Sequence, residues 1–301
     1  MSAPPRIARR ALLAGTSAYL ATGASLATTA SHDLIELTLD REPRLPRRCS
    51  LLLPRAAAAE RSLPLLVLLH GLGETKDERA GIRAWPRAYG LSRAWERLSS
   101  PPVVRDREPF WSAAELEAVN ASLAARPFAG LVLACPYMPN PYDSGGASAI
   151  ARYSTWLERS LLPAIAERVP SASREPRATG LAGVSLGGYV ALEVYLQKSE
   201  RFATVGTVQG AFSETRARDY AARLAKLAPS GVFVASSSGD PYLRANRRLY
   251  RELSSGVPSR LSVRRGPHSQ GWLREIGSLE MLLWHDRALR GAVETGEVRA
   301  P

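Results

Sequence analysis

Residues 180–189 read GLAGVSLGGY, and this stretch decides the fold. It contains the pattern Gly-x-Ser-x-Gly, formed by Gly183, Ser185 and Gly187, between the end of a short strand and a helical pattern over residues 189–198. A serine on such a sharp strand-to-helix turn has strained backbone angles, and glycines two residues to either side relieve the crowding. The turn lifts the serine hydroxyl above the sheet edge, where the first N–H groups of the helix face an oxyanion. Structural turns show the same pattern, so its partners elsewhere in the chain decide its meaning.

The rest of the chain alternates apolar runs with helical patterns. Residues 34–39 (LIELTL) and 48–53 (RCSLLL) predict an edge hairpin, and continuous aliphatic runs elsewhere predict strands buried on both faces. These runs lie at residues 65–69, 131–134, 203–208, 232–236 and 260–263, and the helical patterns between and after them lie at 149–169, 189–198, 216–227, 244–253 and from Trp272 onward. The alternation predicts an α/β fold with a mostly parallel central sheet covered by helices on both faces. No linker or repeat divides residues 31–301, which we expect to form one domain.

One connection is too long for a bare loop and predicts an insertion at about residues 74–129. It contains a helical pattern over residues 91–98, and Ser112 with Glu115 three residues later predicts a capping box at the start of a second helix. Aromatic residues are concentrated here, namely Trp85, Tyr89, Trp95, Phe110 and Trp111. They fit either a helical lid over an acyl-binding cleft or the packing of an inserted subdomain, and the sequence leaves both open.

The first 30 residues have the pattern of an export signal. Arg6, Arg9 and Arg10 form a positive region, a charge-free stretch rich in small residues follows to Ala30, and its end offers cleavage sites. The pair Arg9-Arg10 is typical of a twin-arginine signal. We therefore expect an exported protein, periplasmic or extracellular. An uncleaved anchor is the alternative, although the many Thr, Ser and Gly residues fit a membrane span poorly.

Composition excludes several function classes. The chain carries a net charge of +12, of which the three arginines of the signal account for +3, leaving +9. The remaining basic residues are scattered, and no nucleic-acid-binding signature accompanies them, so we expect no nucleic-acid partner but allow association with an anionic cell envelope. No Cys/His spacing indicates a metal. The two cysteines, Cys49 and Cys135, fit either a disulfide or two buried thiols.

A serine nucleophile needs a base, and the chain offers four histidines. His32 adjoins the export segment and is interpreted as lying outside the fold. His285 falls within the terminal helix, as a surface or packing residue, and His70 precedes a glycine turn that it is expected to shape. His268 follows the last predicted strand and is therefore the predicted base.

The base needs an acid to orient it, and Asp240 is the predicted one. It follows an apolar strand, within Gly-Asp-Pro, and lies between Ser185 and His268 in the order Ser, Asp, His. Asp219 is the alternative but falls within a helical pattern, and Asp143 precedes the serine.

Backbone N–H groups are expected to form an oxyanion hole. One belongs to Leu186, directly after the nucleophile. The other belongs to the turn after His70, where Leu72 is the first choice and Gly73 the second.

Four motifs occur together in this order: residues 65–73 (LLVLLHGLG), 183–188 (GVSLGG), 239–242 (GDPY) and 266–268 (GPH), the last followed by Trp272. Together they resemble the α/β-hydrolase superfamily, and within it the esterase D group that includes feruloyl and acetylxylan esterases. The resemblance covers nearly all of the chain after the export segment. It implies an α/β-hydrolase fold and a serine esterase that needs no metal or organic cofactor. The long aromatic connection departs from a compact esterase D member, so the resemblance leaves the substrate open.

Two loops that follow predicted strands are expected to carry substrate-binding side chains. These are Tyr137 and Met138 on one loop and Trp272 on the other. The substrate is expected to be a small-molecule or polysaccharide-linked ester.

Three functions remain open at this stage. The first is an exported serine carboxylester hydrolase that forms an acyl-enzyme on Ser185. The second is an acyltransferase of the same fold that passes the acyl group to a sugar or lipid hydroxyl. The third is a non-catalytic envelope-binding protein built on a hydrolase scaffold.

Overall fold

The computed structural model describes residues 31–40, 45–55, 62–253 and 256–299. The predicted export segment, residues 1–30, lies outside the described residues, so export remains a prediction. Among the helices of the described ranges, none has both the length and the apolarity needed to cross a membrane.

A nine-stranded sheet is the centre of the described chain. Its strands are β1 (His32–Thr38), β2 (Arg48–Pro54), β3 (Leu65–Leu69), β4 (Val132–Pro136), β5 (Thr179–Val184), β6 (Thr204–Val208), β7 (Gly231–Gly239), β8 (Ser259–Pro267) and β9 (Gly296–Arg299). Their order is β1-β2-β4-β3-β5-β6-β7-β8-β9. The pairs β1–β2 and β2–β4 are antiparallel, and every other neighbouring pair is parallel. The predicted mostly parallel sheet is confirmed, and the short β9 is an addition that the sequence patterns missed.

Helices cover both faces of this sheet. They are α1 (Glu78–Arg83), α2 (Leu91–Ser99), α3 (Ala113–Ala125), α4 (Ala147–Trp156), α5 (Leu162–Arg168), α6 (Leu186–Gln197), α7 (Glu214–Leu227), α8 (Leu243–Leu253), α9 (Gln270–Trp272) and α10 (Ser278–Ala288). A π-helical turn (Leu157–Leu161) joins α4 to α5, so the long helix predicted over residues 149–169 is present as one continuous helical segment.

Alternation along the central strands supplies two cores, one on each face of the sheet. In β3, Leu65, Val67 and Leu69 pack into one core, whereas Leu66 and Leu68 pack into the other. This division follows from the two-residue period of a strand. Because both faces are covered, all five side chains are buried, which is why the sequence reads as a continuous aliphatic run.

The same alternation decides the state of the cysteines. Cys49 on β2 packs into one core and Cys135 on β4 packs into the other, and both are free thiols. Their side chains therefore lie on opposite faces of the sheet, and no disulfide joins them. Burial raises the pKa of both thiols above the ordinary value, which keeps them protonated.

The insertion at residues 74–129 packs as part of the domain. Trp85, Trp95 and Trp111 are each at most 2% exposed and belong to the core that also contains Leu66 and Leu68. The predicted capping box at Ser112 is present at the start of α3. Of the two roles left open for these aromatic residues, the structure supports packing; a lid is not confirmed.

One histidine lies in a different place from the prediction. His32 is part of β1, is 8% exposed, and places Nδ1 2.8 Å from Glu96 Oε1 on α2. The interpretation of His32 as outside the fold is therefore wrong, because the first strand begins directly at this residue.

Candidate active site

Ser185 lies on a strained turn between β5 and α6, at the carboxyl end of the parallel strands. Its backbone angles are φ 54° and ψ −117°, a conformation that side-chain-bearing residues rarely adopt. A Cβ atom on Gly183 would collide with the backbone of Gly187, and one on Gly187 would collide with the backbone of Leu69 and His70. Only glycine fits at these two positions, so the strand, the turn and the helix can come this close only with the Gly-x-Ser-x-Gly pattern.

The structure brings His268 to this serine. His268 follows β8, and its Nε2 lies 3.2 Å from Ser185 Oγ, within hydrogen-bond reach. The loop after β8 and the turn after β5 meet because parallel strands end at the same edge of the sheet. Ser185 is half-buried and the imidazole is 27% exposed, so both groups are accessible from the surface.

Asp240 lies on the far side of the imidazole. Its Oδ1 is 2.9 Å from His268 Nδ1, and the carboxylate side chain is fully buried. Two donors orient it: Ser236 Oγ donates to Oδ2 at 2.5 Å, and the Tyr242 backbone N–H donates to Oδ1 at 3.0 Å. The carboxylate can therefore accept from Nδ1–H, which leaves Nε2 free to accept the hydroxyl proton of Ser185.

The alternative acids are not near this constellation. Asp219 lies on α7 with a side chain 59% exposed, and it pairs with Arg223 one turn away. Asp143 is exposed in a short 3₁₀ turn, where it accepts from the Asn140 amide.

Two of the remaining histidines have buried, structural positions. His70 Nε2 accepts from the Met138 backbone N–H at 2.9 Å, so its proton lies on Nδ1, which donates to the Gly71 carbonyl at 2.9 Å. Burial lowers the pKa of His70 to about 4, and burial lowers the pKa of His285, on α10, to about 3. Both imidazoles are therefore neutral near pH 7. His70 shapes its loop as predicted, and His285 is a packing residue rather than a surface one.

The predicted oxyanion donors lie on both sides of the serine. Leu186 is the first residue of α6, and Leu72 is the first residue of a 3₁₀ turn (Leu72–Glu74), so neither N–H has a partner within its own helix. Gly73 follows within that turn. The preceding N–H is occupied: Gly71 donates to the hydroxyl of the buried Tyr89 at 3.0 Å. This bond anchors the turn to the insertion.

A second contact links the two loops at the site. Glu74 accepts from the Tyr89 hydroxyl through Oε2 and from the Gln270 side-chain amide at 3.1 Å through Oε1. Gln270 lies two residues after His268, so the carboxylate of Glu74 joins the turn after β3 to the loop after β8.

A cleft of about 560 Å³ adjoins the site through Ala211, a lining residue whose backbone N–H donates to the Ser185 carbonyl. Its lining includes Tyr142, Tyr189, Phe212 and Tyr242, and the Tyr242 ring lies edge-on to His268 with centroids 5.9 Å apart. Tyr142 and Tyr189 are stacked with centroids 6.1 Å apart. No sequence pattern marks these four residues as a group, because they come from four separate segments of the chain.

The residues predicted to bind substrate lie elsewhere, and two of them need correction. Met138 is 1% exposed and Trp272 is fully buried, and both pack into the cores, so neither side chain presents a surface to the cleft. Tyr137 stacks on His70, with centroids 5.6 Å apart, and its hydroxyl donates to the Thr75 carbonyl. The loop after β4 thus contributes packing at these positions and Tyr142 to the cleft.

Within the described ranges, no group of three or more His, Cys, Asp or Glu side chains is arranged to hold a metal ion.

The architecture is that of the α/β-hydrolases: a mostly parallel sheet, helices on both faces and a serine on the turn between a central strand and its helix. A ferulic acid esterase structure is similar, with a TM-score of 0.62, 18% identity, and coverage of 86% of this chain and 100% of that one. S-formylglutathione hydrolase from Staphylococcus aureus aligns at TM-score 0.56 and 15% identity, over 85% and 97% of the two chains. The feruloyl esterase module from Clostridium thermocellum aligns at TM-score 0.57 and 11% identity, over 90% and 92%. At such identities, these structures establish the fold.

The predicted resemblance to serine esterases of this superfamily is confirmed by a family match. Residues 140–263 match the profile of the family Esterase, described as "Putative esterase". This segment contains the strand-turn-helix around Ser185 and extends past Asp240. A search of curated protein sequences found no match. The family match, which spans less than half of the chain, points to an esterase.

Proposed function

We propose that this chain is a serine carboxylester hydrolase that forms an acyl-enzyme on Ser185, with His268 as base and Asp240 as orienting acid. The observation that carries the proposal is the continuous chain of contacts from Ser185 Oγ to His268 Nε2 (3.2 Å) and from His268 Nδ1 to Asp240 Oδ1 (2.9 Å). A serine hydroxyl is a weak nucleophile on its own, and this arrangement is the one that activates it.

The first half of the reaction follows from these positions. His268 Nε2 takes the proton of the Ser185 hydroxyl as the oxygen attacks the ester carbonyl carbon. The carbonyl oxygen becomes an oxyanion, which accepts from the backbone N–H groups of Leu72 and Leu186. One such donor contributes about 3–4 kcal/mol to transition-state stabilisation. The buried carboxylate of Asp240 stabilises the imidazolium and holds its orientation.

The same groups complete the acylation and then hydrolyse the acyl-enzyme. His268 gives its proton to the departing alkoxide, and the alcohol leaves the acyl-enzyme. Water then attacks the acyl carbonyl while His268 removes a proton from the water. The resulting intermediate collapses as His268 returns that proton to Ser185 Oγ, which releases the acid and restores the hydroxyl. No step requires a metal ion or an organic cofactor.

The lining of the cleft supports an ester substrate of moderate size. A volume of about 560 Å³ lined by tyrosine and phenylalanine rings suits a small-molecule ester or an ester linked to a polysaccharide. The net charge of +9 outside residues 1–30, obtained by subtracting the three arginines there from +12, fits association with an anionic cell envelope. We propose no nucleic-acid partner.

Export completes the proposal and rests on the sequence of residues 1–30. The pair Arg9-Arg10 followed by a charge-free stretch is expected to direct the chain to the periplasm or the medium. Changing both arginines to lysine is expected to retain the unprocessed chain inside the cell. Equal recovery of processed protein outside the cytoplasm from both versions would contradict a twin-arginine signal.

The hydrolase proposal is tested with p-nitrophenyl esters of increasing acyl length. The chain without residues 1–30 is expected to hydrolyse them, and Ser185→Ala is expected to abolish turnover while Ser148→Ala, an exposed serine, leaves it unchanged. Turnover that persists in Ser185→Ala would refute the assignment. If acylation occurs but an added alcohol captures most of the acyl group, the activity is acyl transfer instead of hydrolysis. Salt-sensitive binding to envelope material without any ester turnover would indicate a binding protein.

A further inference from the structure

Gln209 has an unusual backbone directly beside the proposed site. It follows β6, is fully buried, and adopts φ 49°. Among the described residues, three non-glycine residues have positive φ, and one of the others is Ser185. Glutamine has no special tolerance for this region, so such a conformation persists only where the surrounding structure imposes it. The Gln209 backbone N–H donates to the Ala235 carbonyl at 2.7 Å, which fixes the residue against β7.

The side-chain amide of Gln209 uses its nitrogen fully. Nε2 donates to Ser237 Oγ at 2.7 Å and to the Pro267 carbonyl at 3.0 Å, and Ser237 Oγ donates to the same carbonyl at 3.0 Å. Both amide hydrogens and the hydroxyl hydrogen are thereby used, and both lone pairs of the carbonyl oxygen are filled. Two side-chain hydrogen bonds therefore converge on the peptide oxygen immediately before His268, and a third joins the two donor side chains to each other.

The pairing register between β7 and β8 changes just before this peptide. Pairing between β7 and β8 is regular up to Ser237 and Arg264, and it then shifts, so that Gly239 lies opposite Pro267. A bulge of this kind interrupts the ladder locally and redirects the strand, and the pairing resumes at Gly239 and Pro267. The side chains of Gln209 and Ser237 add two hydrogen bonds to the Pro267 carbonyl at the point where the pairing resumes.

Two features of Gln209 are energetically unfavourable at this position. The backbone conformation is strained, and the buried Oε1 atom has no hydrogen-bond partner among the described residues. Turning the amide over would place Oε1 against the Pro267 carbonyl, oxygen against oxygen. The two N–H donors are therefore what this residue contributes to the site.

We propose that Gln209, together with Ser237, is a positioning residue that holds the Pro267 carbonyl and thereby aligns His268 between Ser185 and Asp240. The proposal rests on the function proposed above, because it assigns how the base of that reaction is kept in place. Both side chains are fully buried, so their effect on the reaction is assigned to the position of His268.

The test compares Gln209→Met, which keeps the size and removes both donors, with Gln197→Met, the same change at the exposed end of α6. We expect Gln209→Met to lower kcat by about 10- to 100-fold while KM stays within about twofold, because misplacement of a catalytic group by roughly 1 Å has effects of this size. Ser237→Ala, a smaller change that is less disruptive to folding, is expected to lower kcat by roughly 3- to 10-fold. Gln197→Met is expected to match the parent.

A double variant separates positioning from general damage. If Gln209 acts through His268, Gln209→Met has no further effect on the residual rate of His268→Ala, since residues that act as a unit are not additive. A second loss of tenfold or more in the His268→Ala background would overturn the proposal. An unchanged kcat in Gln209→Met would overturn it as well.

An NMR measurement tests the positioning role of Gln209 without requiring an ester substrate. The sequence has only four histidines, so the Nδ1 proton that His268 shares with Asp240 can be assigned by comparison with His268→Ala. We expect its resonance to broaden or vanish in Gln209→Met and to remain in Gln197→Met. An unchanged resonance in Gln209→Met would refute the positioning role even if no ester substrate is found. If the proposed hydrolase function itself is wrong, the parent protein will be inactive as well.

Discussion

Replacing Arg264 tests whether the insertion is a fixed part of the domain. Arg264, near the end of β8, has a buried guanidinium that donates to Glu115 at the start of α3 (2.8 Å) and to Glu280 on α10 (2.7 Å). Its guanidinium also lies 5.4 Å from the Trp111 ring centre. Burial alone would raise the pKa of Glu115, but hydrogen bonds from Ser112 and Arg264 outweigh burial and hold that pKa below its usual value.

The stability lost in Arg264→Met can be estimated from the carboxylates that the change leaves unpaired. Arg264→Met keeps most of the side-chain volume but leaves two largely buried carboxylates, whose side chains are 8% and 10% exposed, without their cation. Breaking a buried ion pair from one side costs about 3–5 kcal/mol. For a domain of this size, that corresponds to a fall in melting temperature of roughly 5–20 °C. Adding Glu115→Gln and Glu280→Gln to Arg264→Met is expected to restore most of the loss, because the uncompensated charges are then gone.

Thermal melting followed by circular dichroism measures this effect, with Arg223→Met as the matched control. Arg223 pairs with Asp219 on the surface of α7, where such a pair contributes less than about 1 kcal/mol. A melting temperature of Arg264→Met within about 2 °C of the parent would refute the reasoning. It would mean that the insertion moves independently of the sheet, as a lid would.

Three further outcomes are expected. Because burial lowers the pKa of His70 to about 4 and of His285 to about 3, the folded chain binds fewer protons than the unfolded chain below pH ~6.5. The free energy of unfolding should therefore fall by up to about 1.4 kcal/mol per pH unit for each histidine between pH ~6.5 and ~4, and urea titrations of His285→Leu should show a shallower fall. Tyr89→Phe removes the hydroxyl that accepts from the Gly71 backbone N–H and anchors the turn after β3. This change should lower kcat/KM roughly tenfold without altering the exposure of Ser185. An unchanged kcat/KM would contradict that role. Cys49 and Cys135 should react with a thiol reagent only after denaturation, both without prior reduction; a requirement for reductant would contradict their placement on opposite faces.

The chemistry of the site was predictable because each part has a local signature. The turn around Ser185 requires glycines at Gly183 and Gly187, and a parallel sheet brings the ends of its strands to one edge, so residues after β7 and β8 must approach the serine. Chain order then selected Asp240 and His268. The fold followed from the same alternation of apolar runs and helical patterns.

The aromatic cleft was not predictable in this way. Tyr142 stacks on Tyr189 although 47 positions separate them in the chain, and no periodic pattern marks such a pair. Met138 and Trp272 looked suitable because they follow strands near the site, but each side chain turns into a core. The role of Gln209 depends on a strand bulge, which the sequence does not reveal.

The most direct test of the account is the intact mass of the protein after a rapid acid quench of its reaction with a p-nitrophenyl ester. The account predicts an increase equal to one acyl group, located by peptide mapping to Ser185 and absent from Ser185→Ala. An acyl group on another residue, or full ester turnover by Ser185→Ala, would contradict it.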